Sequence, residues 1–597
     1  MTPTPGITNT NAALWIAEPS LSHKSGFYEN AFELEIFSEP GTTVYYTLDG
    51  SIPTTESHLY NGAISIYDRS GEENTFRTIK NVTSDWRDNR LGEEPVDKAF
   101  IVRAVAVDGE GRTSRPVTAT YFVDLEKYRH GNVVSLVAEP SDLFGDDGIY
   151  VTGREYDDWY LGTQEGDAPE RNYGKRGRQY EAEVYFEYFS DTLSFSQNAG
   201  LRIQGASKRS YALKNFTLYA RKEYSGSNVF DENIFSDVTS HKLILRKGYA
   251  NSVFQDLVRD RDVATQRYKC VSVFLNGEFW YDTVMLEKYD AHYFEERFGV
   301  KADDVVVIKN DSIEEGVDED LGLRQDMYNF LIGHDMSIDA DYMEFGEIVD
   351  LQSYIDYMCV NIYIHNMDFH ETKNMVMWRS RSITPNGYGD GKWRWALYDL
   401  DAMEWATSDA WDYTWEVNSF SMVPQHIGMA INQQTIYRYL KDSPIFRKQF
   451  VLTFMDLVNT DFVYANVKTK MDDYEFDNYE FNLDKDYYEN FFKNRAAYIV
   501  PHMAEEFGLS GTLETVELTI NDADAGYVVL NTIKPDLSVG VWTGNYYTDY
   551  PIKVTAVANK GYEFVGWEGD AVSENECMEV QVVEGGVKIH ALFRKMD

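Results

Sequence analysis

The chain has 597 residues, several times the length of an ordinary domain, of which 43% are hydrophobic and 15% aromatic, so about two to four domains, folded nearly throughout, are expected. Its 98 acidic residues outweigh 55 basic ones, and the resulting formal net charge of −43 repels phosphate backbones and argues against a nucleic-acid partner. No apolar run reaches the roughly 18 residues that cross a bilayer, so no membrane span is expected. The cysteines, Cys270, Cys359 and Cys577, lie far apart without C-x-x-C spacing, which predicts free, mostly buried thiols and no zinc or redox site. The start, Met1-Thr-Pro-Thr-Pro-Gly6, lacks a basic-then-apolar leader, and a leader already removed is the preferred reading.

From Gly26 to about Val123, short alternating runs are separated by turn signals: Phe32-Glu-Leu-Glu-Ile36, Glu39-Pro-Gly41, Val44-Tyr-Tyr-Thr-Leu48 and Asp49-Gly-Ser51. Further runs, Phe100-Ile-Val-Arg-Ala-Val-Ala-Val107 and Val117-Thr-Ala-Thr-Tyr-Phe-Val123, follow a polar, turn-rich insertion at 69–97. The pattern predicts a β-sandwich over residues 1–126. The segment Tyr45-Tyr-Thr-Leu-Asp-Gly-Ser-Ile-Pro-Thr54 resembles the fibronectin-like C-terminal domain of chitobiases and β-hexosaminidases, which implies an accessory module.

Residues 132–510 mix strands with helices, the clearest apolar periodicity falling at 351–366, 444–459 and 487–507. Phosphoryl transfer requires oxygen ligands for Mg²⁺, cations for phosphate and a carboxylate near the incoming hydroxyl. Asp368 and Asn374 stand in Asn366-Met-Asp-Phe-His-Glu-Thr-Lys-Asn374, at a helix-to-strand junction and one residue off the spacing of ordinary kinases. Lys392-Trp-Arg-Trp-Ala-Leu-Tyr-Asp-Leu-Asp401 reads as a strand whose terminal Asp399 and Asp401 share one face and chelate a hard cation. Solvated turn aspartates are the alternative.

The ordered segments Val133-Val-Ser-Leu-Val137, Gly148-Ile-Tyr-Val-Thr-Gly153, Ala199-Gly-Leu-Arg-Ile-Gln-Gly205, Phe274-Leu-Asn-Gly-Glu-Phe-Trp280 and Leu286-Glu-Lys288, with the two acidic motifs, resemble the spore coat protein H (CotH) family of atypical kinases. The resemblance implies a divergent kinase-like α+β domain over 132–510 that uses ATP with Mg²⁺, or Mn²⁺ in its place. It makes Asp399 the principal metal ligand, Asp401 its assistant, Asn374 a second ligand, and Asp368 the catalytic or metal-positioning acid.

Arg209 and Lys214, in Gly205-Ala-Ser-Lys-Arg-Ser-Tyr-Ala-Leu-Lys-Asn-Phe216, fit the family's basic strand pattern and are candidates for nucleotide phosphates, against the alternative of exposed strand cations. Glu287 and Lys288 are a second candidate pair, of which one points into a site because neighbours on a strand face opposite ways. Trp393 or Tyr211 is a candidate to stack on adenine, the alternative being a place in the core. Lys208 and Asn215 replace the family's serines, and Ala402-Met-Glu-Trp405 replaces small residues. These departures leave a pseudokinase open.

Residues 515–597 hold only strand and turn patterns: Gly526-Tyr-Val-Val-Leu530, Ile552-Lys-Val-Thr-Ala556, Gly561-Tyr-Glu-Phe-Val-Gly-Trp-Glu-Gly569 and Lys588-Ile-His-Ala-Leu-Phe593. They look like a divergent internalin-type B repeat, which implies an extracellular or cell-surface bacterial protein. The whole chain is then an α+β multidomain protein, with an N-terminal β-sandwich, a central kinase-like α+β domain and a small C-terminal β domain. Its expected activity is that of a secreted protein kinase phosphorylating Ser or Thr of a protein substrate. A non-catalytic surface or carbohydrate-associated scaffold, meeting cell wall or glycan, is the second reading, and a glycoside hydrolase the third.

Overall fold

The computed structural model describes residues 16–85, 91–92, 94–230, 234–235, 238–247, 249–366, 369, 374–384, 387–401, 415–422, 433–472 and 485–596. The chain divides into two compact units, Met1–Lys247 with Tyr268–Lys288, and Gly248–Arg267 with Tyr289–Asp597. The span 132–510 therefore contributes to both.

In the first unit, a five-stranded sheet runs in the order Gly26–Tyr28, Val117–Val123, Phe100–Asp108, Thr42–Thr47, His58–Leu59, and the pair Phe32–Leu34 with Ile64–Ile66 supplies a second layer. Leu34, Ile66, Val102, Ala104, Ala119 and Tyr121 fill the core. The run expected to be one strand over 32–36 breaks at Glu35, because Phe32–Leu34 pairs with Ile64–Ile66 while Ile36–Phe37 pairs with Ser20–Leu21.

Behind this module a closed barrel runs in the order Val133–Ala138, Ala182–Phe189, Ser194–Gln204, Asn215–Tyr219, Lys242–Arg246, Glu278–Glu287, Tyr268–Leu275. Its closing seam, Val133–Ala138 against Tyr268–Leu275, is the one parallel pairing. The insertion expected to be a polar, turn-rich excursion is instead part of this core: Phe76, Val82 and Leu91 are buried among the barrel's apolar side chains. Its main chain is held by the buried Glu278, whose carboxylate accepts the N–H groups of Thr75, Phe76 and Arg77. A carboxylate meeting several backbone donors is a charge-assisted anchor.

The second unit contains a four-stranded sheet, Ser312–Glu315, Val305–Lys309, Val376–Ser380 and Arg394–Ala396, with helices that include Leu351–Tyr363, Pro444–Asn459 and Lys485–Phe507. Asp350 caps the first of these helices by accepting from Ser353 N, and Ser443 followed by Pro444 opens the second. At the C-terminus a four-stranded and a three-stranded sheet form a small β domain, whose strands include Trp542–Tyr547 and Gly526–Leu530. It is bound to the helix Pro444–Asn459 through Asp456 and through Asn459, whose side chain both donates to Asn545 O and accepts from Asn545 N. Of the cysteines, Cys359 is buried and Cys270 half-buried, whereas Cys577 is exposed, because its strand Cys577–Val580 lies at a sheet edge. Among the described residues no helix is long and apolar enough to cross a membrane.

Candidate functional site

Strand register in the second unit draws one row across its sheet: Lys309 lies opposite Val376, and Val376 opposite Ala396. Because neighbouring strands run antiparallel, the end of the first, the approach to the second and the exit of the third meet at one end of the sheet. Lys309-Asn310, Asn374-Met375 and the chain through Asp399 are gathered there. Asn310 fastens the corner, its N–H donating to Met375 O at 2.8 Å and its side-chain oxygen accepting from Met375 N at 3.3 Å.

The backbone at this end is unusual. Asn310, Asn374 and Asp399 all adopt the left-handed region, with φ of 59°, 59° and 60°. Asn and Asp tolerate that region better than other side chains, yet each such residue still costs about 1 kcal/mol or more and persists only where its surroundings enforce it. Left-handed Asp399 also changes the sequence expectation. The strand ends at Ala396 and does not reach 401, so the rule that residues two apart share a face does not apply to Asp399 and Asp401. Asp401 is buried and Asp399 half-buried.

Between them, Leu400 N donates to the side-chain oxygen of Asn251 at 3.0 Å, and Gln255 Nε2 donates to the same oxygen at 3.0 Å. Asn251 is fully buried, and among the described residues its Nδ2 has no hydrogen-bond acceptor. A buried amide in that state is fitted to receive an oxygen from a ligand or water. The candidate donors, the carboxylates of Asp399 and Asp401 and the amide of Asn374, are hard oxygens of the kind that suits Mg²⁺ or Mn²⁺. Among the described residues no group of three His, Cys, Asp or Glu gathers to make a more elaborate centre.

The helix Leu351–Tyr363 delivers the chain toward Asn374, and its last turn is fixed from outside. Arg495, fully buried, donates from Nε to Tyr363 O at 2.9 Å and from Nη2 to Ile362 O at 3.4 Å, so a cation meets the negative end of the helix. His365, with φ of 53°, places Nδ1 2.9 Å from Ser419 Oγ. Asp368 and the stretch 402–405 lie outside the described residues.

Trp393 is not a platform for a base. Its side chain is fully buried, with its indole N–H directed at Leu323 O and the Arg379 guanidinium over its ring at 5.4 Å, because its backbone bridges to the Val349 segment in the interior. Tyr211, the other aromatic candidate, is 52% exposed and carries the Lys208 ammonium 4.8 Å from its ring centroid.

In the first unit, the two basic candidates are engaged internally. Lys214 has no exposed surface, and its Nζ donates to the carbonyls of Val82, Arg209 and Tyr211, each at 2.7 Å. The rings of Tyr173 and Tyr150 flank it at 4.1 and 5.1 Å. Burial, and then the Arg209 charge, pulls its pKa down to about 6, while three carbonyls and two ring faces favour the ammonium with its three donors. Arg209 likewise donates to Gly205, Tyr173, Lys175 and Ile203 carbonyls. The expected phosphate fork and point charge are thus corrected to a pair of cations that knit loop carbonyls together. Glu287 is buried at the end of its barrel strand, opposite Leu243, and Lys288 follows half-buried.

Lys309, whose Nζ lies 3.9 Å from the centroid of the Tyr398 ring at this end of the sheet, was not among the sequence candidates. The available signal was a cation closing the buried run Val305-Val-Val-Ile308, a pattern common at solvated strand ends.

Comparison with known families matches a model described as CotH kinase protein to residues 201–499, one described as Fn3 associated to residues 34–121, and one described as divergent InlB B-repeat domain to residues 535–597. No curated protein matches the chain.

Proposed function

This chain belongs to the CotH kinase family, and on that premise we propose that it is an atypical protein kinase that transfers the γ-phosphate of ATP to Ser or Thr of a protein substrate. The observation that carries this reading is the convergence of Asn374, Asp399 and the Asn310 corner at one sheet end on left-handed backbone. Bound there, Mg²⁺ or Mn²⁺ would supply the charge that steadies phosphate oxygens. Asp399, Asp401 and Asn374 would hold that cation through hard oxygens, and Asp368 would accept the proton of the incoming hydroxyl. Glu287 and Lys288 are the remaining candidates for the nucleotide in the first unit. The Fn3-associated and B-repeat modules are of kinds typical of surface proteins and support an extracellular or cell-surface setting, with cell wall or glycan as their own partner.

One observation favours a second reading, a pseudokinase that serves as a surface scaffold. Lys214 and Arg209, the basic residues of the family's strand pattern, direct their hydrogens at backbone carbonyls of their own loop and of the segments around Val82 and Tyr173.

Both readings meet one experiment: the purified protein is incubated with labelled ATP and Mg²⁺ or Mn²⁺, wild type beside Asp399→Ala. Label transfer by the wild type alone is the expected result. Nucleotide binding without transfer favours the scaffold, and absence of binding overturns the kinase reading.

A further inference from the structure

Within the first unit, a cavity of about 480 Å³ opens where the sandwich packs on the barrel, inside the range of about 300–1,000 Å³ that holds small ligands. It contains none of the residues assigned above to metal or nucleotide. Strand register fixes its barrel wall. Glu187 lies opposite Ser196 and Phe189 opposite Ser194, and residues two apart share a face, so a carboxyl, an aromatic ring and two hydroxyls belong to one face. That face is the outer one, because the alternate residues Phe186 and Tyr188 fill the barrel's core. The facing wall comes from the segment 19–25 and the strand Val117–Val123, through Leu21, Ser25 and Val117.

Two groups in this cavity are held in place before any ligand arrives. The Phe189 ring meets Phe27 and Phe122 edge-on, at centroid distances of 6.2 and 5.5 Å. Glu187, buried at the floor, accepts from Thr120 Oγ1 and from Ser25, whose own oxygen accepts from Thr120 N at 3.1 Å. A carboxyl has about four lone-pair sites, so two donors leave others for a guest. Burial keeps its proton on up to a pH of about 7, and below that it offers a hydroxyl both a donor and an acceptor without net charge. A charged guest therefore finds no fixed counter-charge at the floor, and Lys24 is exposed at the rim. An acyl chain would cover the carboxyl and the hydroxyls without pairing them, which is costly. An uncharged ring with one apolar face and hydroxyls at its edge satisfies both kinds of wall.

We propose that this cavity binds a neutral sugar ring of a glycan, with the ring's C–H face on Phe189 and Leu21 and its hydroxyls paired with Glu187, Ser25 and Ser194. The proposal rests on the reading of the flanking modules as partners of cell wall or glycan, and it places that contact at the junction of the sandwich with the barrel. Phosphoryl transfer has no part in it.

Calorimetric titration of the full chain tests this, with tetramers of β-1,4-linked glucose, N-acetylglucosamine and mannose as probes and decanoate as the apolar control. Wild type is compared with Ser194→Trp and Ser20→Trp, which set a bulky ring into opposite walls of the cavity from exposed positions and replace no core residue. At least one tetramer is expected to bind the wild type, with affinity falling by about tenfold or more in both variants while their thermal midpoints stay at the wild-type value. A tetramer that binds wild type and both variants equally overturns the cavity as the site and leaves the glycan reading of the flanking modules standing. Failure of every tetramer to bind the wild type brings down that reading and the proposal together. Decanoate bound in place of the sugars, and lost in the variants, overturns the ligand class.

Discussion

The phenol of Tyr546 donates a 2.8 Å hydrogen bond to Oδ1 of Asp456, a carboxylate without exposed surface in the helix Pro444–Asn459. Asn531 Nδ2, Thr532 N and Thr532 Oγ1 donate to the same carboxylate at 3.0, 3.0 and 2.6 Å. All of these donors belong to the C-terminal β domain. Burial drives the Asp456 pKa upward and the donors oppose it, together with the positive charge of Arg261. Arg261 itself forms a buried pair with Asp356 of the helix Leu351–Tyr363, at 2.6 Å. The β domain thus ends a polar chain that begins in the helix feeding the candidate site.

Replacing Asp456 with Ala leaves that set of donors without an acceptor, and the loss is expected to be about 3–5 kcal/mol. Tyr546→Phe removes one bond and is expected to cost about 1–2 kcal/mol. Denaturant unfolding of the full chain reads both, and near-neutral behaviour of Asp456→Ala would contradict the anchoring role.

Lys214→Met keeps much of the side-chain volume but strips the carbonyls of Val82, Arg209 and Tyr211 of their donor. The expected loss is about 2–4 kcal/mol, with protease sensitivity rising first in the insertion that contains Val82. A variant of unchanged stability that loses nucleotide would restore the phosphate role.

Glu187 lies beneath the contact between the sandwich and the barrel, 1% exposed, with Thr120 donating to its carboxyl and Ser135 Oγ 2.8 Å from Thr120 Oγ1. Burial raises its pKa to about 7, the hydrogen bonds from Ser25 and Thr120 opposing. A carboxyl whose folded pKa is raised holds its proton in the native state after the unfolded chain has released it. Its contribution is fully present below the unfolded value near 4.5 and is lost as pH rises through about 7, a change on the order of 3 kcal/mol. Glu187→Gln should flatten the stability profile between pH 4.5 and 7, as followed by thermal melts. An unchanged slope would remove Glu187 as its source.

Trp393→Ala is expected to cost about 3–5 kcal/mol through the cavity it leaves. Nucleotide affinity of the folded fraction should be unaltered, as isothermal titration would record. A selective loss of affinity would return Trp393 to the site.

Regular elements with local signals were legible. The helix Pro444–Asn459 follows from its Ser443-Pro444 start and its apolar spacing, and the strand Val117–Val123 from a β-branched and aromatic run, because both signals reside in a few neighbouring residues. Asn374 and Asp399 were legible as chemistry but not as geometry. Their left-handed backbone adjoins contacts made with distant segments, Asn310 with Met375 and Asn251 with Leu400 N, which no local pattern reveals. The fates of Lys214 and Trp393 were hidden for the same reason: whether a cation or an indole is exposed depends on which distant carbonyls and strands close over it. The 69–97 insertion misled because its polar composition concealed three apolar residues, Phe76, Val82 and Leu91, that complete a core built elsewhere.

The barrel's last two strands follow a segment, Gly248–Arg267, that belongs to the other unit. The chain therefore leaves the first unit and comes back, and no single cut releases either unit whole. On the ribosome the parallel seam of Val133–Ala138 must wait until Tyr268–Leu275 has emerged, after the helix Tyr249–Leu257 has already been made. Fragments intended to isolate an activity from this protein need Lys247 spliced to Tyr268, or Arg267 spliced to Tyr289, before their behaviour reports on either half.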